Sequence, residues 1–317
     1  MNKKLIAGIS SALLALVLAG CGQNNLTAGA KVKKASGMVA LVKGRVNKDA
    51  KVSYKIDDQK AQDTKNTDGS YVIEVPSTTK DQKITINAKN GSSKESKQVT
   101  VKAEKRLSSY SDFKNKYNQA IVGMNMSKAD QAKAQSLQKE AAEMKKQPKV
   151  DPKKLQMEMA KMPADKRAAE MKKMQAMKQK GTELKKEGQQ LQDSMDKIKK
   201  DKKDDLLPDH PATGVSYLVK KSDYQLRGNY QNGDLMGLTV IASNSAMKHK
   251  TGQKDFGTAF GISAKALGAD PKSVMKQFKK FKKDAKSGQT TMKTIKSNGV
   301  KFNIGVSASD LYIYVTK

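Results

Sequence analysis

The chain has 317 residues and carries 62 Lys and Arg against 31 Asp and Glu, a net charge of +31. Hydrophobic residues make up 37% and aromatics 5%, with no Trp, which excludes one large core spread over the whole length and favours small cores joined by solvated segments. Such a charge draws a chain to anionic surfaces, but only four basic residues are Arg (Arg45, Arg106, Arg167, Arg227), so specific nucleic-acid readout, which leans on guanidinium groups, is not expected.

The chain opens with the cationic Met1-Asn2-Lys3-Lys4, and Leu5 to Leu18 follows without a charge. That run is shorter than the ~18–20 residues a membrane span needs and ends in small residues, as a cleaved signal does. Leu18-Ala19-Gly20-Cys21 resembles the bacterial lipobox. The resemblance implies cleavage after Gly20 and thioether lipidation of Cys21, with two acyl chains, enough for stable anchoring. The expected order is then a signal peptide over 1–20 and a lipidated, polar tether over 21–34. It places the chain on the outer face of the cytoplasmic membrane, and the lysine bias suggests a Gram-positive cell. Cys21 is the sole cysteine, so the exported part must fold without a disulfide.

Residues 35–103 alternate apolar and polar over Val52–Ile56, Tyr71–Val75, Ile84–Ala88 and Val99–Val101, after an earlier strand from Met38 to Val46. Asp68-Gly69, Pro76-Ser77 and Asn90-Gly91 supply turns. The run Gly44-Arg45-Val46, Thr67-Asp68-Gly69-Ser70-Tyr71, Val75-Pro76, Ile84-Thr85-Ile86 and Val99-Thr100-Val101 resembles bacterial Ig-like domains. Prealbumin-like sandwiches share the Asp-Gly-Ser-Tyr turn. The resemblance implies a small antiparallel sandwich acting as a spacer or adhesive module.

Residues 108–206 are rich in Lys, Met and Gln. Tyr110, Phe113, Tyr117, Ile121 and Met124 lie at helical spacing behind Ser109 or Ser111, and Ser127 with Asp130 forms a capping box ahead of Ala134, Leu137, Ala141 and Met144. Pro148 ends that run, Asp151-Pro152 opens another, and Pro163 restarts it toward Lys200. Met177, Leu184, Leu191 and Ile198 recur every seven residues, with Met174 and Met195 at partner positions and Gly181 and Gly188 weakening the seam. The pattern predicts a coiled-coil-like helical hairpin or partly ordered helices. The groups Met157-x-Met159-x-x-Met162 and Met171-x-x-Met174-x-x-Met177 admit Cu(I) binding through thioethers, although the surrounding lysines oppose a cation.

After Pro208-Asp209-His210-Pro211, residues 212–317 read as three strands, two helices and three strands (βββααβββ): one antiparallel sheet with both helices on a face. The second helix begins at Asp270-Pro271 and sets Val274, Met275, Phe278 and Phe281 opposite Lys276, Lys279, Lys280, Lys282, Lys283 and Lys286. These lysines are candidates for an anionic surface, although the apolar face is needed by the sheet. Tyr312 and Tyr314 share one face of the last strand and are candidates for stacking on a sugar or a partner protein. The fold class expected for the whole is multidomain α+β.

Catalysis is not expected. Ser245-x-x-Lys248 and Lys250-Thr251-Gly252 sit too close together to act as the separated elements of penicillin-binding enzymes, and His210 and His249 have no ligand-spaced neighbours. No cofactor or metal is assigned. The expected function is that of a non-catalytic surface protein, anchored in the membrane by lipid and binding an anionic wall polymer, a glycan, or an envelope or host protein. A chaperone-like or assembly accessory protein and a Met-rich Cu(I)-binding lipoprotein are the alternatives.

Overall fold

The computed structural model describes residues 37–146, 157–286 and 294–317, and folds as a mixed α+β chain with antiparallel sheets. The leader, Cys21 and the tether lie outside the described residues, as do Pro148, Asp151-Pro152 and the strand start expected near Thr291. The chain gathers into two compact units, one formed by residues up to Phe113 together with Asp209–Lys317, the other by Lys114–Pro208.

The first unit opens with β1 (Val39–Arg45), β2 (Lys51–Ile56), β3 (Gln62–Thr64), β4 (Asn66–Thr67), β5 (Ser70–Pro76), β6 (Gln82–Asn90) and β7 (Ser93–Val101). They form two antiparallel sheets, in the orders β1-β5-β4 and β3-β2-β6-β7. Alternation puts Ala40, Val42, Tyr71, Ile73 and Val75 of one sheet and Val52, Ile56, Ile84, Ile86 and Ala88 of the other into one buried cluster. Asn66 staples the loop between β1 and β2: its Nδ2 donates to the carbonyls of Asn47, Lys48 and Ala50 at 2.9, 3.0 and 2.8 Å.

Next come β8 (Ser108–Ser109) and α1 (Tyr110–Asn125), whose first turn is capped by Ser109 Oγ accepting the Asp112 N–H at 3.2 Å. Tyr110, Phe113, Tyr117 and Ile121 are buried, but Met124 is 60% exposed because Val122 takes the inward place near the end of the helix.

The second unit holds α2 (Lys128–Lys146) and α3 (Ala164–Asp201). Ser127 Oγ caps α2 by accepting the Asp130 N–H at 3.0 Å, and α3 starts directly after Pro163. Asp130 receives Ser194 Oγ at 2.8 Å, Lys133 Nζ reaches Gln190 Oε1 at 3.1 Å, and Lys180 pairs with Glu140 at 3.3 Å. As α2 runs forward its partners run backward, so the two helices are antiparallel. The seven-residue seam holds from Gly181 through Leu184, Gly188, Leu191 and Met195 to Ile198, each half-buried, and no residue of α3 is fully buried. Below Gly181 it opens, and Met171, Met174 and Met177 are exposed, as are Ala141 and Met144 on α2. At the base of the hairpin Asn118 and the Leu207 backbone exchange two hydrogen bonds, at 2.8 and 3.1 Å.

The chain then returns to the first unit as β9 (Gly214–Lys220), β10 (Tyr224–Gln231), β11 (Asp234–Ser243), α4 (Lys250–Ala266), α5 (Pro271–Lys286), β12 (Ile295–Ser297), β13 (Val300–Val306) and β14 (Asp310–Thr316). The strands form one antiparallel sheet, β12-β13-β14-β11-β10-β9, and β8 pairs with β11 on the far side of the helical unit in sequence. Asn232-Gly233 and Asn298-Gly299 turn with positive φ at both residues, 50° and 87°, then 49° and 78°, the geometry that a two-residue hairpin requires. Phe260 of α4 packs edge-on against Phe278 of α5 and Phe302 of β13, with centroids 5.6 and 5.9 Å away, so both helices cover the face that carries Phe302.

Candidate functional site

Strand parity sorts the C-terminal sheet into two faces. Phe302 is paired with Val315, and Val315 with Leu238, so these point to the helices. Their neighbours Asn303, Tyr314 and Thr239 therefore point the other way. On that outer face the register aligns Tyr217, Arg227, Thr239, Tyr314 and Asn303 in one cross-strand row. A second row holds Lys220, Gln225, Ile241, Tyr312 and Gly305.

The two tyrosines singled out from sequence come together in this arrangement. The rings of Tyr312 and Tyr314 lie 9° from parallel with centroids 6.0 Å apart, and both are half-buried. Gly305 makes room for them: a Cβ there would stand 3.0 Å from Tyr314 Cε2. At the other edge Tyr217 is 48% exposed, with Lys220 Nζ 5.5 Å from its ring centroid. Between these aromatic ends lie two buried polar atoms, Arg227 Nε and Thr239 Oγ1, neither with a hydrogen-bond partner among the described residues. A buried donor or hydroxyl left in that state costs about 1–3 kcal/mol, so the row holds polar demand that its own neighbours do not meet.

The base of this face is closed by the N-terminal sheets. Asn229, fully buried and two residues along β10 from Arg227, directs Nδ2 at the carbonyls of Met38 and Ser77, each at 2.8 Å, and at that of Gly37 at 3.3 Å. Gly37 lies so close to β11 that a Cβ on Gly237 would sit 2.8 Å from the Gly37 carbonyl. The outer rows thus begin where two packed bodies meet, a common place for ligands.

Lys276 is exposed on α5, and α5 packs on the helix-covered face, so Lys276 and the tyrosines do not share a site. Lys279, Lys280, Lys282 and Lys283 belong to the backbone of α5, and their side chains lie outside the described set. His210 and His249 are both exposed. Among the described residues no three His, Cys, Asp or Glu side chains gather to hold a metal ion, and no helix is long and apolar enough to cross a membrane.

Sequence reasoning missed Arg227, Thr239, Gly305 and Asn229. The first two sit at alternating places on β10 and β11 and were legible as strand residues, but their alignment with Tyr314 depends on a pairing between β11 and β14 that local pattern does not set.

No family model, no curated protein and no solved structure matches this chain.

Proposed function

We propose that this chain is a non-catalytic lipoprotein of the cell surface, anchored through Cys21, whose C-terminal sheet binds a partner across its outer face. The observation that carries the anchoring is the charge-free run from Leu5 to Leu18 leading into Leu18-Ala19-Gly20-Cys21. On this reading the tether and an Ig-like sandwich lift the C-terminal domain off an oxidising cell surface, and the absence of a second cysteine costs nothing, because each sheet is held by packing. Radiolabelled palmitate and membrane fractionation test it. The unaltered chain should take up label and sediment with membranes, and Cys21→Ala should do neither; equal label and equal sedimentation for both chains would sink the anchor.

The exposed methionines support a second reading, in which the hairpin serves as an adaptable apolar surface for an envelope accessory protein. Met144, Met157, Met171, Met174 and Met177 are all open to solvent, and thioethers re-pack against varied shapes. On this reading the full chain slows aggregation of an unfolding client, and replacing Met171, Met174 and Met177 with Gln removes the effect at unchanged helix content. A native chain without such protection would end it.

A further inference from the structure

From the outer face of the C-terminal sheet we infer a binding site for an extended acidic polysaccharide; the inference rests on the surface-binding reading above and names its ligand. Three features of the face select this chemistry. Flat rings stand at both ends, Tyr312 and Tyr314 on β14 and Tyr217 on β9, and pyranose rings stack their C–H faces on such surfaces. Parity and register place Lys220, Arg227, Lys296 and Lys301 on this same face, against Asp310, which accepts Tyr312 Oη at 3.3 Å, and Asp234, which is already paired with Arg106 at 2.8 Å, so the rim favours an anion. Between the rings stands Arg227, only half-buried, a guanidinium in the row for the carboxylate that a sugar acid carries at each unit.

The spacing argues for a polymer. Tyr217 and Tyr314 stand three strands apart, roughly 14 Å at a strand spacing of about 4.8 Å, too far for one sugar ring to touch both. A chain laid across the strands meets Tyr217, passes Arg227, and ends on the tyrosine pair. A protein partner fits less well, because the one large aliphatic side chain of the two rows, Ile241, is buried, which leaves aromatic and polar groups to be read.

The full chain, held in a nonionic detergent at physiological salt, is titrated with three polymers. Polygalacturonate offers rings and charge, dextran offers rings alone, and polyglutamate offers charge alone. Polygalacturonate should bind at least about tenfold more tightly than either of the others. Tyr314→Ala and Arg227→Gln should each weaken it about tenfold, while Tyr314→Phe, which keeps the ring, and Lys276→Gln, on the helix side, should leave it unchanged. Circular dichroism of each variant separates lost binding from lost fold. Polyglutamate binding as tightly as polygalacturonate would reduce the site to unspecific charge, and no effect of Tyr314→Ala in a folded variant would remove the face from recognition; either overturns the inference. Failure of palmitate labelling with these affinities intact would remove the anchor and leave the site standing.

Discussion

The helical hairpin and the C-terminal sheet are built from the same lysine-rich sequence, yet they hold themselves together in opposite ways. In the sheet domain Phe260, Phe302, Leu238 and Val240 are wholly out of water, whereas α3 buries nothing completely and relies on a half-exposed seam with a few polar ties to α2. A chain with few aromatics concentrates them: Phe260 touches Phe256, Phe278 and Phe302. The hairpin makes do with Leu, Met and Gly, and the difference teaches that burial is rationed within this chain rather than spread along it.

The largest contrast should appear on truncation. Phe260→Ala opens a cavity among three other rings and should cost about 4 kcal/mol, while Leu191→Ala in the half-exposed seam should cost under about 1 kcal/mol. Denaturant melts of the two variants would dissolve the contrast if their costs were equal. Next, Asn229→Ala removes the side-chain donor from the buried Ser77 carbonyl and leaves that of Met38 with the Ser77 N–H alone; it should cost about 2 kcal/mol, splitting one calorimetric transition of the first unit into separate ones for the N-terminal sheets and the C-terminal sheet. A single unshifted transition would mean that Asn229 does not join them.

In the hairpin the effects run smaller and can change sign. A Cβ on Gly188 meets nothing within 4 Å, so Gly188→Ala should stabilise α3 by roughly 0.5–1 kcal/mol through helix propensity alone, seen as increased helical signal near the melting midpoint. The subtlest test is acid. The hydroxyls of Ser194 and Ser127 lower the pKa of Asp130. A carboxylate whose folded pKa is depressed contributes stability above its unfolded pKa and loses it as pH falls through the folded value. Distances between labels on Lys133 and Gln190 should therefore lengthen below the ordinary carboxylate range, and Asp130→Asn should flatten that response.

Much of this architecture was legible from local pattern, because period and turn chemistry are local properties. Tyr71, Ile73 and Val75 announced β5, the Asn-Gly pairs announced two hairpins, and the βββααβββ order of the C-terminal domain is the one observed. Pro163 and the capping box at Ser127 marked helix starts to within a residue. What escaped were long-range facts. Ser108-Ser109 is too short and polar to signal a strand, yet it completes the sheet by pairing with Leu235 and Asp234 across the whole helical segment. Asn229 looks like any polar strand residue until the carbonyls it serves, far away in sequence, are brought to it. The candidate site was half visible: the shared face of Tyr312 and Tyr314 follows from a period of two, but their polar neighbours follow only from strand order. The α5 lysines had a clear sequence signal, and Lys276, on the helix-covered side, is separated from the tyrosines by the thickness of the sheet.

The pairing of β8 with β11 has a mechanical consequence. The strand before the hairpin and the strands after it belong to one sheet, and Asn229 joins that sheet to the N-terminal pair, so tension applied between residue 37 and Lys317 runs through those ladders and bypasses α2 and α3. Lys114–Pro208 is slack held in reserve. Should β8 be torn from β11 and the hairpin unravel, it would unspool on the order of 300 Å of contour before the sheet itself had to yield.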